Sequence, residues 1–165
     1  MLYKRYLIKV INLKVIDNNT VHISIFPRNY ENYYLWNSLL EDVLNKITYS
    51  KHVIVSFSDR QLCNIFVGFM EECSVKPTIA KFDVAFNSCN KRVINELIYS
   101  YDFFDYSYAF SIIVKEYKKE YCVSPLGDNL GIEIKCSDGY DSVVSMIEIV
   151  CCDYDVILEK DNKNE

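Results

Sequence analysis

Glycine and proline are scarce in this sequence, at four and three among 165 residues. That excludes collagen-like repeats, flexible linkers and Pro/Gly-rich disorder as the main state. Histidine is nearly absent too, with only His22 and His52, each inside an apolar stretch that reads as a strand. A serine hydrolase needs a nucleophile with a histidine at hand, and no GxSxG elbow is present. The glycines, Gly68, Gly127, Gly131 and Gly139, form neither GxxxxGK[ST] nor GxGxxG, so no phosphate cradle is encoded. No run of apolar residues is long enough for a membrane span. Lys4, Arg5, Lys9 and Lys14 interrupt the most apolar candidate, residues 1–16, which reads as a strand rather than a signal peptide.

Cysteine, by contrast, is plentiful. The seven residues Cys63, Cys73, Cys89, Cys122, Cys136, Cys151 and Cys152 are odd in number, contain no CxxC and lack a histidine at zinc-ligand spacing. Most of them, set among Val, Ile, Phe and Leu, read as free thiols in the core of a cytoplasmic protein. No metal or cofactor is expected. The carboxylate pairs Glu71/Glu72, Asp102/Asp105 and Asp153/Asp155 do not follow a calcium-loop pattern.

Half of the residues are apolar and a quarter charged, enough to bury a core in a chain of one-domain size. Residues 1–159 are expected to form a single globular domain, and 160–165 a frayed polar tail. Alternation predicts a hairpin from Tyr3–Ile16 and Val21–Phe26, and three- and four-residue spacing predicts a helix over Glu31–Ile47. A strand at His52–Phe57 precedes a helix over Asp59–Cys73 capped by Ser58. Thr78–Phe86 reads as one strand and Asn90–Tyr99 as a helix capped by Ser88. Strands follow at Ala109–Val114, Tyr121–Val123 and Gly131–Cys136. Ser142–Cys152 fits a buried strand or a helix capped by Asp138 or Asp141, with helix the preferred reading, and Asp153–Glu159 closes as a strand. The sum is a mixed α+β domain, with three or four helices packed on a sheet of about five to seven strands.

Charge is unevenly spread. Residues 120–165 carry 11 acidic and 3 basic side chains, a net of −8, against 12 acidic and 15 basic over residues 1–119, a net of +3. If the late carboxylates share a face, their field attracts a basic partner and speeds its association. Aromatic residues make up 15% of the chain, and the richest cluster, Tyr99–Phe110, contains Asp102 and Asp105 but no Lys or Arg. Such a cluster repels a polyanion, so direct nucleic-acid binding is not expected, while tyrosine suits a protein interface. The residues expected at the contact are Tyr101, Asp102, Asp105, Tyr106, Asp138, Asp141, Asp153 and Asp155.

In size, build and the acidic-aromatic stretch Tyr101-Asp102-Phe103-Phe104-Asp105-Tyr106, followed by the acidic end Asp138–Glu159, the chain resembles the cytoplasmic immunity proteins of contact-dependent growth inhibition and related polymorphic toxin systems. The resemblance implies a non-catalytic inhibitor. Its partner would be the toxic C-terminal domain of a secreted effector, often a nuclease with a basic groove, whose active or substrate-binding surface it masks. Two other readings stay open: a viral or phage accessory protein that binds a host factor, and an enzyme using Cys63 or Cys89 near a helix start.

Overall fold

The computed structural model describes residues 10–25, 33–99, 110–126, 131–154 and 157–161. Among these residues nine strands form one sheet and four helices lie against it, so the fold is α+β. The chain opens with the expected hairpin, β1 (Val10–Val15) and β2 (Thr20–Ile25), paired antiparallel around the Asp17–Asn19 turn. There the Asp17 carboxylate accepts from the Asn19 backbone N–H at 2.8 Å. Helix α1 (Tyr33–Thr48) follows, then β3 (His52–Phe57) and α2 (Arg60–Glu72).

The cap of α2 is Asp59, not Ser58: its carboxylate accepts from the Leu62 backbone N–H at 3.0 Å. Moving the cap one residue changes little physically, because either oxygen satisfies an orphan donor of the first turn. The helix ends in a Schellman motif, with Val75 N–H donating to Met70 carbonyl and Ser74 N–H to Glu71 carbonyl, both at 2.9 Å. Ser74 holds the left-handed conformation (φ 60°) that glycine usually supplies.

The expected single strand Thr78–Phe86 is instead a hairpin, β4 (Thr78–Ala80) and β5 (Asp83–Phe86). Lys81 turns the chain at φ 65°, a left-handed step that a lysine does not advertise in sequence. Helix α3 (Lys91–Tyr99) is capped by Asn90 rather than Ser88, its Oδ1 accepting from Val93 N–H at 3.0 Å. A meander of β6 (Phe110–Glu116), β7 (Lys119–Pro125) and β8 (Gly131–Cys136) follows. Residues 142–152 are helical, within α4 (Asp141–Asp153); Tyr140 precedes it without a side-chain cap, so neither Asp138 nor Asp141 caps it. Strand β9 (Ile157–Asp161) reaches two residues into the polar stretch that begins at Lys160.

The sheet order is β4-β5-β3-β6-β7-β8-β2-β1-β9. All neighbours are antiparallel except β1 and β9. The count exceeds the expected five to seven because Thr78–Phe86 splits into two strands and every other segment read as a strand joins the same sheet. On each strand from β5 to β1 the buried apolar residues share one parity: Val84 and Phe86, Val53, Val55 and Phe57, Phe110, Ile112 and Val114, Ile132 and Ile134, Ile11 and Leu13. Together with α1 (Leu39, Leu40, Val43, Leu44, Ile47) and the inner sides of the other helices, they form one core. The four described helices therefore cover one face of the sheet, and no described helix lies on the other.

The other face carries no Phe, Tyr or Trp at any described strand position, and it is mixed: an apolar row, Ala85, Ile54, Ile113 and Cys122, crosses its middle, with polar groups around it. Across it, Ser56 lies opposite Ser111, Ser124 opposite Glu133, Glu133 opposite His22, and His22 opposite Lys14.

Candidate partner-binding surface

Helix α1 runs between α3 and α4, touching both. The parallel bridge Tyr49–Cys89 brings the end of α1 to the start of α3, so the two helices run antiparallel. Between the three helices an open groove of about 670 Å³ is lined by Asp42, Asn45, Lys46 and Tyr49 of α1 and its end, Lys51, Lys91 of α3, and Val150 and Asp153 of α4. The α1 residues recur at three- and four-residue intervals, which sets them on one exposed stripe.

The groove is held in shape by tyrosine hydroxyls on carboxylates. Tyr154, just past α4, donates to Asp42 Oδ2 at 2.5 Å, with the Ser38 carbonyl oxygen 3.0 Å from the same hydroxyl. Tyr99, at the end of α3, donates to Glu41 Oε2 at 3.2 Å, and Lys91 Nζ stands 3.4 Å from Glu41 Oε1. Burial raises the pKa of Tyr154, and its hydrogen bond to Asp42 and the charges of Asp42 and Glu41 raise it further. Burial raises Tyr99 likewise; a hydrogen bond with Ser38 offsets part of the rise, and the charge of Glu41 adds to it. Both phenols thus stay neutral donors well into alkaline conditions.

At the opposite end, Lys51 pairs with Glu116 at the tip of the β6–β7 hairpin. That hairpin has a two-residue turn, Tyr117–Lys118, between the paired Glu116 and Lys119. Tyr117 is 98% exposed, and its backbone is left-handed at φ 48°, which costs a non-glycine residue about 1–2 kcal/mol. Tyr49, at the groove's Lys51 end, is 64% exposed. Groove and hairpin tip form a continuous surface through the Lys51–Glu116 pair.

Of the eight residues expected at a contact, Tyr101, Asp102, Asp105, Tyr106 and Asp155 lie outside the described residues. Asp153 is in the groove. Asp138 and Asp141 lie at the other end of α4, about 18 Å from Asp153 along a 13-residue helix. Asp138 is held by Lys119 at 3.2 Å, and Asp141 is exposed in the first helical turn. Glu133, another of the late carboxylates, is on the sheet face away from the helices, bonded to His22 Nε2 at 3.1 Å and Lys135 Nζ at 2.9 Å. Burial would raise its pKa, but these two partners outweigh burial and hold it below the usual value. The described acidic groups therefore spread over separate regions. Asp42, Tyr49, Tyr99 and Tyr154 are the contact candidates that sequence reasoning passed over; the one legible trace is the polar stripe of α1 at Ser38, Asp42, Asn45 and Tyr49.

The two candidate thiols are core residues. Cys63 is the fourth residue of α2, 2% exposed, with its pKa raised by burial. Cys89 is 3% exposed and pushed up to about 12 by burial, against which hydrogen bonds with Thr48 and Asn90 count less. Neither is poised as a thiolate. His52 Nδ1 bonds Asn87 Oδ1 at 3.1 Å, at the edge of the sheet face. Among the described residues, no three His, Cys, Asp or Glu side chains converge as a metal set, and no helix is long and apolar enough to cross a membrane. No family model, curated protein or solved structure matches the chain.

Proposed function

We propose that this protein acts by binding another protein, and that it neutralises a cognate toxin domain by masking the active or substrate-binding surface of that domain. The observation that carries the reading is the groove over α1. Asp42 and Asp153 line it beside Lys46, Lys51 and Lys91, and Tyr154 fixes the Asp42 carboxylate before any partner arrives. A surface of mixed charge with the exposed Tyr49 at one end suits a protein interface, because tyrosine adds contact area at small entropic cost and fixed charges select the partner's orientation. On this reading Asp42 and Asp153 would meet basic side chains of a nuclease-type surface, and Lys46, Lys51 and Lys91 its carboxylates. The sheet face has no Phe, Tyr or Trp at its described strand positions, which favours the helical side as the contact.

The test is co-expression with the product of the adjacent upstream gene, followed by co-purification and a salt series. A stoichiometric complex that abolishes the neighbour's toxicity supports the reading. The double substitution Asp42→Lys/Asp153→Lys should then slow association at least about tenfold at low salt, and less as screening sets in. Toxicity unchanged by co-expression would overturn it.

A further inference from the structure

Tyr117 breaks a local rule and, among the described residues, gains only the neighbouring Lys118 over its ring in return. A two-residue hairpin turn that needs positive φ at its first position is cheapest with Gly, Asn or Asp. Here a tyrosine holds φ 48° and buries almost nothing, at 98% exposure. Strain unrepaid by packing in the free protein points to a use outside it.

The surroundings make the tip rigid. Strands β6 and β7 lie in the middle of the nine-stranded sheet, flanked by β3 and β8. Its base is braced by Lys51 with Glu116, by Lys115 with Glu120 at 3.6 Å, and by Lys119 with Asp138 at 3.2 Å. Ser137 ties it to the loop before α4, giving its N–H to the Glu120 carbonyl at 2.9 Å while its hydroxyl accepts from Glu120 N–H at 2.8 Å. Lys118 Nζ lies 5.6 Å from the centre of the Tyr117 ring. Lys51, Lys115 and Lys119 are matched by carboxylates; Lys118 has no carboxylate partner among the described residues.

We propose that Tyr117 is an anchor that enters a pocket of a protein partner, the pocket being apolar within and carboxylate-bearing at its rim, where it meets Lys118. The inference rests on the binding reading above and extends the contact from the groove, across Lys51 and Glu116, to the hairpin tip. A rigidly presented tyrosine loses little conformational freedom on insertion, and buried tyrosines of this kind dominate interface energetics. The acidic rim supplies the specificity: a basic rim would oppose Lys118.

The experiment measures binding of the purified full chain to the purified product of the adjacent upstream gene, for the wild type and for Tyr117→Ala, Tyr117→Gly, Tyr117→Phe and Lys118→Glu. Ala and Gly should weaken the complex at least about 30-fold, whereas Phe keeps it within about fivefold. Lys118→Glu should lower the association rate at low salt. Thermal melts run alongside: the Gly variant should melt no lower than the wild type, since glycine adopts the turn without strain. Undiminished affinity of the Ala and Gly variants in a complex that does form would overturn the anchor while leaving the binding reading intact. A melt depressed by many degrees in both variants would assign the ring an internal role and overturn it as well. Absence of any complex with the wild type overturns both.

Discussion

Replacing Tyr154 with phenylalanine removes one oxygen and, with it, the hydroxyl that ties the end of α4 to α1. The lost bond runs to a carboxylate at 2.5 Å, a class worth about 1.5–3 kcal/mol when sheltered. The groove is open, so solvent screening brings the expected loss to about 1 kcal/mol. In a protein of this length that is a fall in melting temperature of roughly 2–4 °C. The alkaline limb is the sharper assay. The folded state holds the Tyr154 phenol above its ordinary pKa, so its contribution is complete below about pH 10 and is lost as pH rises from there through the folded value. Urea unfolding of wild type and Tyr154→Phe between pH 8 and 11 should show the gap narrowing above pH 10, with a limiting slope of about 1.4 kcal/mol per pH unit. Cys136 and Cys151, pushed up to about 11 by burial, respond in the same direction but are common to both proteins and cancel in the difference. Parallel stability curves across that range, or equal midpoints at pH 7, would refute the reasoning that this hydroxyl is a neutral donor locked on Asp42.

Other expectations are simpler to check. Phe66 is fully buried, with ring centroids 5.4 Å from Phe57 and 6.3 Å from Phe69, so Phe66→Ala should cost about 3–5 kcal/mol in urea unfolding and loosen α2 from β3. In the native state a thiol reagent at pH 7.5 should label exposed Cys152 first and leave Cys63, Cys89, Cys136 and Cys151 unmodified until unfolding, as read by mass spectrometry of digests. Because the folded state depresses the Glu133 pKa, its contribution is present above the unfolded value near 4.3 and lost as pH falls through the folded one. Glu133→Gln should therefore flatten the stability curve between about pH 5 and 3.

Strands β3 and β8 and helix α2 are legible because alternation and a helical stripe are unbroken over those segments, even though the cap of α2 falls one residue later than expected. The β4–β5 hairpin is not, since its turn rests on Lys81 in a left-handed conformation with no glycine or asparagine to mark it. The same holds for Ser74 at the end of α2. Strand order was out of reach because pairing such as β2 with β8 joins residues more than a hundred positions apart. The contact surface was partly hidden for that reason too. Asp42 and Tyr154 are 112 residues apart in sequence and meet only once α4 has crossed α1, and an acidic run in sequence does not report whether a helix separates its members, as α4 separates Asp141 from Asp153.

The position of the first hairpin bears on how the chain is made. Strands β1 and β2 sit between β9 and β8, the last two strands in chain order. As the polypeptide leaves the ribosome, the hairpin can close on itself at once, yet both of its edges stay unpaired until more than a hundred further residues have been synthesised. Its outer hydrogen-bonding groups, bracketing Ile11, Leu13, Val21 and Ile23, are then a template for the wrong strand. Nascent chains stalled before β8 should accordingly be the most aggregation-prone intermediates of synthesis, and they would be the ones in need of a chaperone.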